Sequence, residues 1–334
     1  MNWQNHLRVD PIPPLLASGN PAIAFFARRD LLREEAGPVE ALWELPDAQR
    51  ILRKQRDDGR WVYGNKKSKA QYPLVDYDQL ETFRNVGFLV EKFGFHRRHP
   101  AIERAAEFLF AHQTDEGDFR GIYGTEYVPS YSPAIMELLI KAGYADDPRI
   151  ETGFRWLLSM RQDDGGWAAP MRTQGISNTI TYWREMQENP GRPPLPPERS
   201  KPFSHMLTGM VLRAFAAHPF YRHAPEAKAA GRLLASRFFR PDKYVDRGTS
   251  EYWEKVTFPF WFTDIVSALD SLSLLEFTPD DPGIGEALDW LRDRQGDDGL
   301  FALKGLKGAG ETAFAHWMCL AICRMLERFS TNLC

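Results

Sequence analysis

Four stretches of the chain carry the same turn. Gln55-Arg56-Asp57-Asp58-Gly59-Arg60-Trp61 places a Gly four residues after a Gln, and an aromatic two residues after that. Gln113 to Phe119 and Gln295 to Phe301 repeat the spacing, and Gln162 to Trp167 is the same turn one residue shorter. Phe239 to Tyr244, between the third and fourth copies, reads as a worn fifth. A unit that recurs along a chain cannot bury its apolar face alone and must stack on its neighbours, so the turn dictates an array.

Two kinds of helical stretch run between the turns. Those leading into a turn carry one apolar stripe. Ile150 to Met160 aligns Ile150, Phe154, Leu157 and Leu158; Ala101 to Ala111 aligns Ile102, Ala105, Ala106, Leu109 and Phe110; Ile284 to Leu291 aligns Ala287, Leu288 and Leu291. Those leaving a turn are apolar on most faces: Ser132 to Ala142, Met206 to Ala216, Phe262 to Leu275 and Thr312 to Met325. A striped helix belongs at a periphery, whereas one that is apolar all round is enclosed. The pattern therefore predicts an outer ring and an inner ring. Pro21 to Leu32 and Leu80 to Phe93 bring the inner segments to six, and Ala41 to Gln55 opens a set of five outer ones. Pro148, Pro225 and Pro282 fall at or just before outer starts, where a missing N–H costs nothing. Period-two, β-branched runs are scarce. The expected fold is all-α, an α/α toroid approximating an α6–α6 barrel. It forms one domain over 1–334, with an N-terminal extension at 1–18 and a Pro-rich excursion at 168–202. The tail of that excursion, Asn189 to Pro202, cannot be helical. The excursion reads as an ordered lid or, alternatively, as a disordered loop.

Such Gln-x-x-x-Gly-x-Trp/Phe turns between outer and inner helices resemble the QW-type repeats of the squalene cyclase and protein prenyltransferase superfamily. The resemblance spans the chain from about Gln55 to Phe301 and into the last helix. It implies that the turns are structural: the Gln caps helix ends, the aromatic stacks on it, and Gln55/Trp61, Gln113/Phe119, Gln162/Trp167 and Gln295/Phe301 tie helices together. It also implies an isoprenoid in the hollow of the inner ring, where aromatic walls give apolar contact and face a passing carbocation.

The two branches of the superfamily leave different signatures. A prenyltransferase places an Asp-x-Cys pair ahead of an inner helix for zinc, and this chain has none; its cysteines are Cys319, Cys323 and Cys334. His316, Cys319 and Cys323 share a helical face, but small cysteines on an apolar helix are ordinary packing, so no metal and no cofactor is expected. A class II cyclase carries Asp-x-Asp-Asp with a proton-donating acid. The nearest match is Asp76-Tyr77-Asp78-Gln79, ahead of an inner helix, with Asp78 as the acid and Asp76 as its partner. Gln79 stands where the family has Asp, and a lone Asp before a helix is also a natural N-cap.

Composition narrows the rest. Aromatics make up 13% of the 334 residues, more than the turns use. The densest stretch, Glu251 to Asp264, supplies Trp253, Phe258, Trp261 and Phe262 as candidate walls and Asp264 as a second candidate acid, whose burial would favour a neutral donor. Tyr123, Tyr127 and Tyr131 recur ahead of an inner helix, His205 heads another, and Glu311, His316 and Trp317 lie at or in the last. These give the candidate site: Asp76, Asp78 and Asp264 as catalytic groups, with Trp253, Phe258, Trp261, Phe262, Tyr127, Tyr131, His205 and Trp317 around the substrate. The expected activity is acid-initiated chemistry on an isoprenoid or other hydrophobic small molecule. A non-catalytic lipid- or protein-binding toroid and a carbohydrate-active toroid are the alternatives. The net charge of −3 gives no general attraction for nucleic acid. No apolar run reaches the length of a membrane span and the start has no signal-peptide pattern, so a cytoplasmic protein is expected.

Overall fold

The computed structural model describes residues 3–71, 74–189, 191–306 and 313–332. Six helices form the inner ring: α2 (Pro21–Phe26, continued by a wider turn over Ala27–Leu32), α5 (Tyr77–Phe93), α7 (Tyr131–Leu139), α11 (His205–Ala217), α13 (Ile265–Leu274) and α15 (Phe314–Thr331). Each packs on the next, and α15 packs back on α2, so the ring closes. Around it stand α1 (Ile12–Leu16), α3 (Pro46–Leu52), α6 (Pro100–Phe110), α8 (Pro148–Ser159), α12 (Pro225–Ala235) and α14 (Ile284–Arg292). The short α4 (Lys66–Gln71) precedes α5, and the excursion contains α9 (Pro170–Thr173) and α10 (Thr179–Glu188). This is the α/α toroid that the alternation of striped and apolar helices predicts. Prolines open α3, α6, α8 and α12 at their first turns, as the start pattern requires.

The repeated turns tie the layers through hydrogen bonds. Gln55 Nε2 donates to Gly59 O within its turn and to Ala101 O in the first turn of α6; Gln113 Nε2 does the same to Gly117 O and to Arg149 O of α8. The aromatic completes the tie inward. Its backbone N–H donates to a hydroxyl on the inner helix: Trp61 to Thr82, Phe119 to Ser132, Trp167 to Thr208. The indole N–H reaches back to the outer helix, Trp61 to Ile51 O and Trp167 to Leu157 O. One such bond contributes about 1 kcal/mol net, so each turn is worth several. The Gly is steric necessity. A Cβ on Gly59 (φ +90°) would lie 2.2 Å from Arg104 O, and one on Gly117 (φ +109°) 2.4 Å from Thr152 O.

The worn fifth copy keeps its lock in an unexpected place. Trp253, well beyond Tyr244, donates its indole N–H to Arg240 O at 2.9 Å, in the stretch that follows α12 rather than in the outer helix that Trp61 and Trp167 reach. The excursion is ordered on the ring's rim, with helix in its first half. Its tail, 191–202, is non-helical. Gln162 Nε2 holds that tail by Glu198 O and Lys201 O. The stretch expected as an extension is stitched in: Gln295 donates to Val9 O and accepts from the amides of Arg8 and Val9, while α1 packs on α15.

Candidate functional site

Because outer and inner helices alternate along the chain, the inner helices run the same way and start at one mouth of the ring. That mouth holds a cavity of about 500 Å³. Its walls come from the first two-thirds of α5 (Phe83, Phe88), the head of α7 (Tyr131), the 257–262 stretch (Phe258, Trp261, Phe262) and the head of α15 (Phe314). Glu81, Arg84 and Asn85 supply the polar rim, and Glu81 is the one carboxylate lining the cavity among the described residues.

The aromatic wall is interlocked. Trp261 meets Phe83 edge-on at 5.4 Å and Phe88 at 5.6 Å, and Phe83 meets Tyr131 at 5.7 Å. Trp317 lies behind Phe258, stacked on it at 5.3 Å and 12°. Trp261 fits this close only because α5 carries Gly87, where a Cβ would sit 2.6 Å from its ring.

The cavity is the mouth and not the whole hollow. Pro259, Phe260 and Trp261 drop between α5, α7 and α11 and meet Glu91, Glu137 and Arg213 beneath. Arg213 Nε donates to Glu137 Oε2 at 2.8 Å with both side chains buried, and Lys141 joins Glu137 to Glu91. A buried carboxylate needs such partners; burial works against the charge on Glu137, but Arg213 and Lys141 hold its carboxyl below the ordinary range. These side chains fill the waist, and the hollow of the ring lies above them.

Of the expected residues, Phe258, Trp261, Phe262 and Tyr131 come together on the cavity wall, with Trp317 behind them. Tyr127 lines a neighbouring compartment instead. Trp253 is not a wall: it is 1% exposed, packed edge-on to Phe238 and stacked on His205 at 4.5 Å. His205 is buried beneath it, its Nδ1 3.3 Å from Asp242 Oδ2, and burial pulls its pKa down to about 4, so it stays neutral. Glu311 lies outside the described residues.

The acids separate clearly. Asp76 is the N-cap of α5, accepting from the amides of Asp78 and Gln79, and its other oxygen lies 3.0 Å from His112 Nε2. Burial opposes its charge, but His112 and those amides hold the carboxyl below its usual range, the reverse of what a proton donor requires. Asp78 faces outward to Lys69 Nζ at 2.5 Å and the Tyr63 amide at 2.9 Å; neither acid lines the mouth. Asp264 sits elsewhere, behind the 257–262 stretch. It caps α13 through a reciprocal pair with Ser267 and is 1% exposed, with the Thr257 amide nearby but outside regular bonding geometry to its Oδ2. Burial pushes its pKa up to about 7, against the Ser267 amide and the Arg213 charge. It is the carboxyl raised in this way among the described residues.

Sequence reading missed Phe83, Phe88 and Phe314 as walls and the ion pairs of the waist. Their signal was present: Glu81, Arg84 and Asn85 interrupt an enclosed helix where it meets water, and Glu137 and Arg213 sit inside runs otherwise apolar.

Residues 70–180, from the end of α4 to the start of α10, match the squalene-hopene cyclase C-terminal domain family. No curated protein matches the chain. Among solved structures, a variant of the type II terpene cyclase MstE from Scytonema, in complex with geranylgeranyl dihydroxybenzoate, is 13% identical with a TM-score of 0.46, over 93% of this chain and 87% of that one. A second such MstE complex is 14% identical at 0.43, over 96% and 99%. A protein from Actinoplanes is 15% identical at 0.42, over 93% and 90%. The fold itself rests on the closed packing of the ring, and the family match over 70–180 takes in two of the four repeated turns, those at Gln113 and Gln162.

Proposed function

We propose that this squalene cyclase-like toroid, a single domain, is an enzyme that takes an isoprenoid-type chain into its aromatic mouth and starts the reaction with the Asp264 carboxylic acid. The observation that carries the reading is the pairing of an aromatic-walled cavity with a buried carboxyl of pKa about 7 just behind its wall. At neutral pH a large share of Asp264 is protonated. Where the substrate displaces Thr257 and reaches the acid behind it, the proton passes to an alkene carbon or an epoxide oxygen, leaving the Asp264 carboxylate and a carbocation on the substrate. The faces of Trp261, Phe258 and Phe83 stabilise that cation. The carboxylate regains its proton when the cation is quenched, by loss of a proton or by addition of water. Thr257 lines the cavity and lies next to Asp264, which puts the acid one residue behind the wall.

The test uses Asp264→Asn, since Asn also serves as an N-cap. The variant is expected to fold and to bind a prenyl substrate while losing turnover by about a hundredfold or more. Unchanged turnover ends the assignment of Asp264. Asp76→Asn and Asp78→Asn, tested alongside, are expected to keep most of the turnover.

The complete capping pair of Asp264 and Ser267 favours one second reading, a non-catalytic binder of hydrophobic molecules in which Asp264 is only a cap. Binding without turnover of any prenyl substrate supports it. A carbohydrate-active reading loses ground, because paired carboxylates across a cleft are its hallmark and the mouth presents Glu81 alone among the described residues.

A further inference from the structure

A second compartment, of about 150 Å³, lies beside the mouth between the loop ahead of α7 and the excursion. Tyr123, Tyr127, Val128, Met171, Tyr182 and Met206 form much of its wall. Its charged members are committed to each other's elements. Arg172 Nε of the excursion donates to Asp246 Oδ2 at 2.7 Å; Glu126 accepts from Arg192 at 3.0 Å and from the Leu195 amide at 3.1 Å. These ties fix the excursion as an outer wall. A small apolar cluster backs it, with Tyr182 and Met186 buried against Leu74, Val75, Met171, Ile176 and Leu195. With the charges paired, nothing in the compartment favours an anionic head group. Its volume suits a six-carbon ring or one branched five-carbon unit, about what an apolar cavity of this size accommodates.

Only one layer of side chains divides it from the mouth. Tyr131 lines the mouth, Tyr123 lines the compartment, and their ring centroids are 5.5 Å apart. On the other flank Phe262 belongs to the mouth and Met206 to the compartment. Arg247 bridges them, its guanidinium 5.0 Å from the Phe262 ring and its Nε 3.4 Å from Met206 Sδ. Tyr123 keeps 38% of its surface accessible, so its ring is open to the compartment it lines.

We infer that this compartment is the far end of the mouth's binding site. It receives the apolar terminus of a chain-shaped ligand, and the Tyr123/Tyr131 partition with the excursion wall sets how long that ligand can be. The inference rests on the reading of the mouth as an isoprenoid site and adds a length selection to it.

The experiment measures equilibrium binding of geraniol, farnesol and geranylgeraniol, prenyl alcohols of increasing length, to the full chain and to variants with opposite expected signs. Tyr123→Ala removes the partition and is expected to raise the geranylgeraniol-to-farnesol affinity ratio by about tenfold or more, as burial of an extra five-carbon unit allows. Met171→Trp fills the compartment and is expected to lower the same ratio by a similar factor. Tyr123→Leu, with the same expected direction as Tyr123→Ala, replaces it if that variant does not fold. Ratios that stay put in both variants, with the wild type binding, overturn the length selection alone. A wild type that binds none of the three overturns the mouth reading and this inference together.

Discussion

The two mouths of the ring are built from opposite ends of the same helices, and they differ in their linings. The mouth at the helix starts is walled by aromatics around a cavity of about 500 Å³. The mouth at the helix ends holds a cavity of similar volume, about 530 Å³, where Phe26, Val39, Val90 and Phe95 are joined by more charge than the other mouth holds, chiefly Arg29, Asp30, Glu91, Lys141, Arg324 and Arg328. Helix polarity explains much of it. Each helix end carries roughly half a negative charge, so several ends converging on one opening call for cations there. Arg324 and Arg29 share Asp30, and Arg328 pairs with Asp270. At the opposite mouth the helix starts are met by caps, Asp76 on α5, Ser204 on α11 and Asp264 on α13, which leaves the cavity wall free to be apolar. The lesson is that a closed ring of parallel helices has one end available for a hydrophobic ligand and one end committed to neutralising itself.

The sharpest way to break this contrast is at the waist between the mouths. Arg213→Ala leaves Glu137 buried with one partner fewer, and is expected to cost about 3–5 kcal/mol, read as a fall in the urea unfolding midpoint. A loss below about 1 kcal/mol would mean that the waist is wetter than the structure shows.

The next effect is on pH. Asp264 titrates near 7 when folded and near 4 when unfolded. Between those values the folded state holds the extra proton, so this group makes stability fall as pH rises from about 4 to about 7, by about 4 kcal/mol at most. Asp264→Asn removes that slope and is expected to raise the unfolding midpoint at pH 8 relative to wild type. Parallel pH curves for the two proteins would contradict the raised pKa.

Gly87→Ala acts on the aromatic mouth alone. Its Cβ would displace the Trp261 ring, at an expected cost of about 1–3 kcal/mol and a change in tryptophan emission. At the charged mouth Arg33→Ala removes an exposed partner of Glu327 and is expected to shift stability by about 0.5 kcal/mol or less. A larger shift would show that the mouth at the helix ends is more than self-neutralising.

The ring was readable because its determinants are local. Each Gln, Gly and aromatic sits within one turn, and each inner helix declares itself by being apolar on most faces. Trp253 reads as a wall because it lies in the densest aromatic stretch, yet it is buried against Phe238 and His205. The site was less readable because it is assembled from separate elements. Phe83, Tyr131, Trp261 and Phe314 meet only after the ring closes, and no spacing connects them. The acids show the same limit: Asp76, Asp78 and Asp264 all precede inner helices, and only the packing around them tells a carboxyl held ionised by His112 from one kept partly neutral by burial.

Phe314 stands at the head of the helix that closes the ring, and it is also part of the cavity wall. No fragment lacking α15 therefore possesses a complete binding site, and whatever fills the mouth joins the last stave to α5 and α7 across the opening. A ligand of this protein should act as its fastener: saturating it by a hundredfold over its dissociation constant would add about 2.7 kcal/mol to the assembled ring. The head of α15, where Phe314 lines the cavity, is where that added grip would be felt as slower opening.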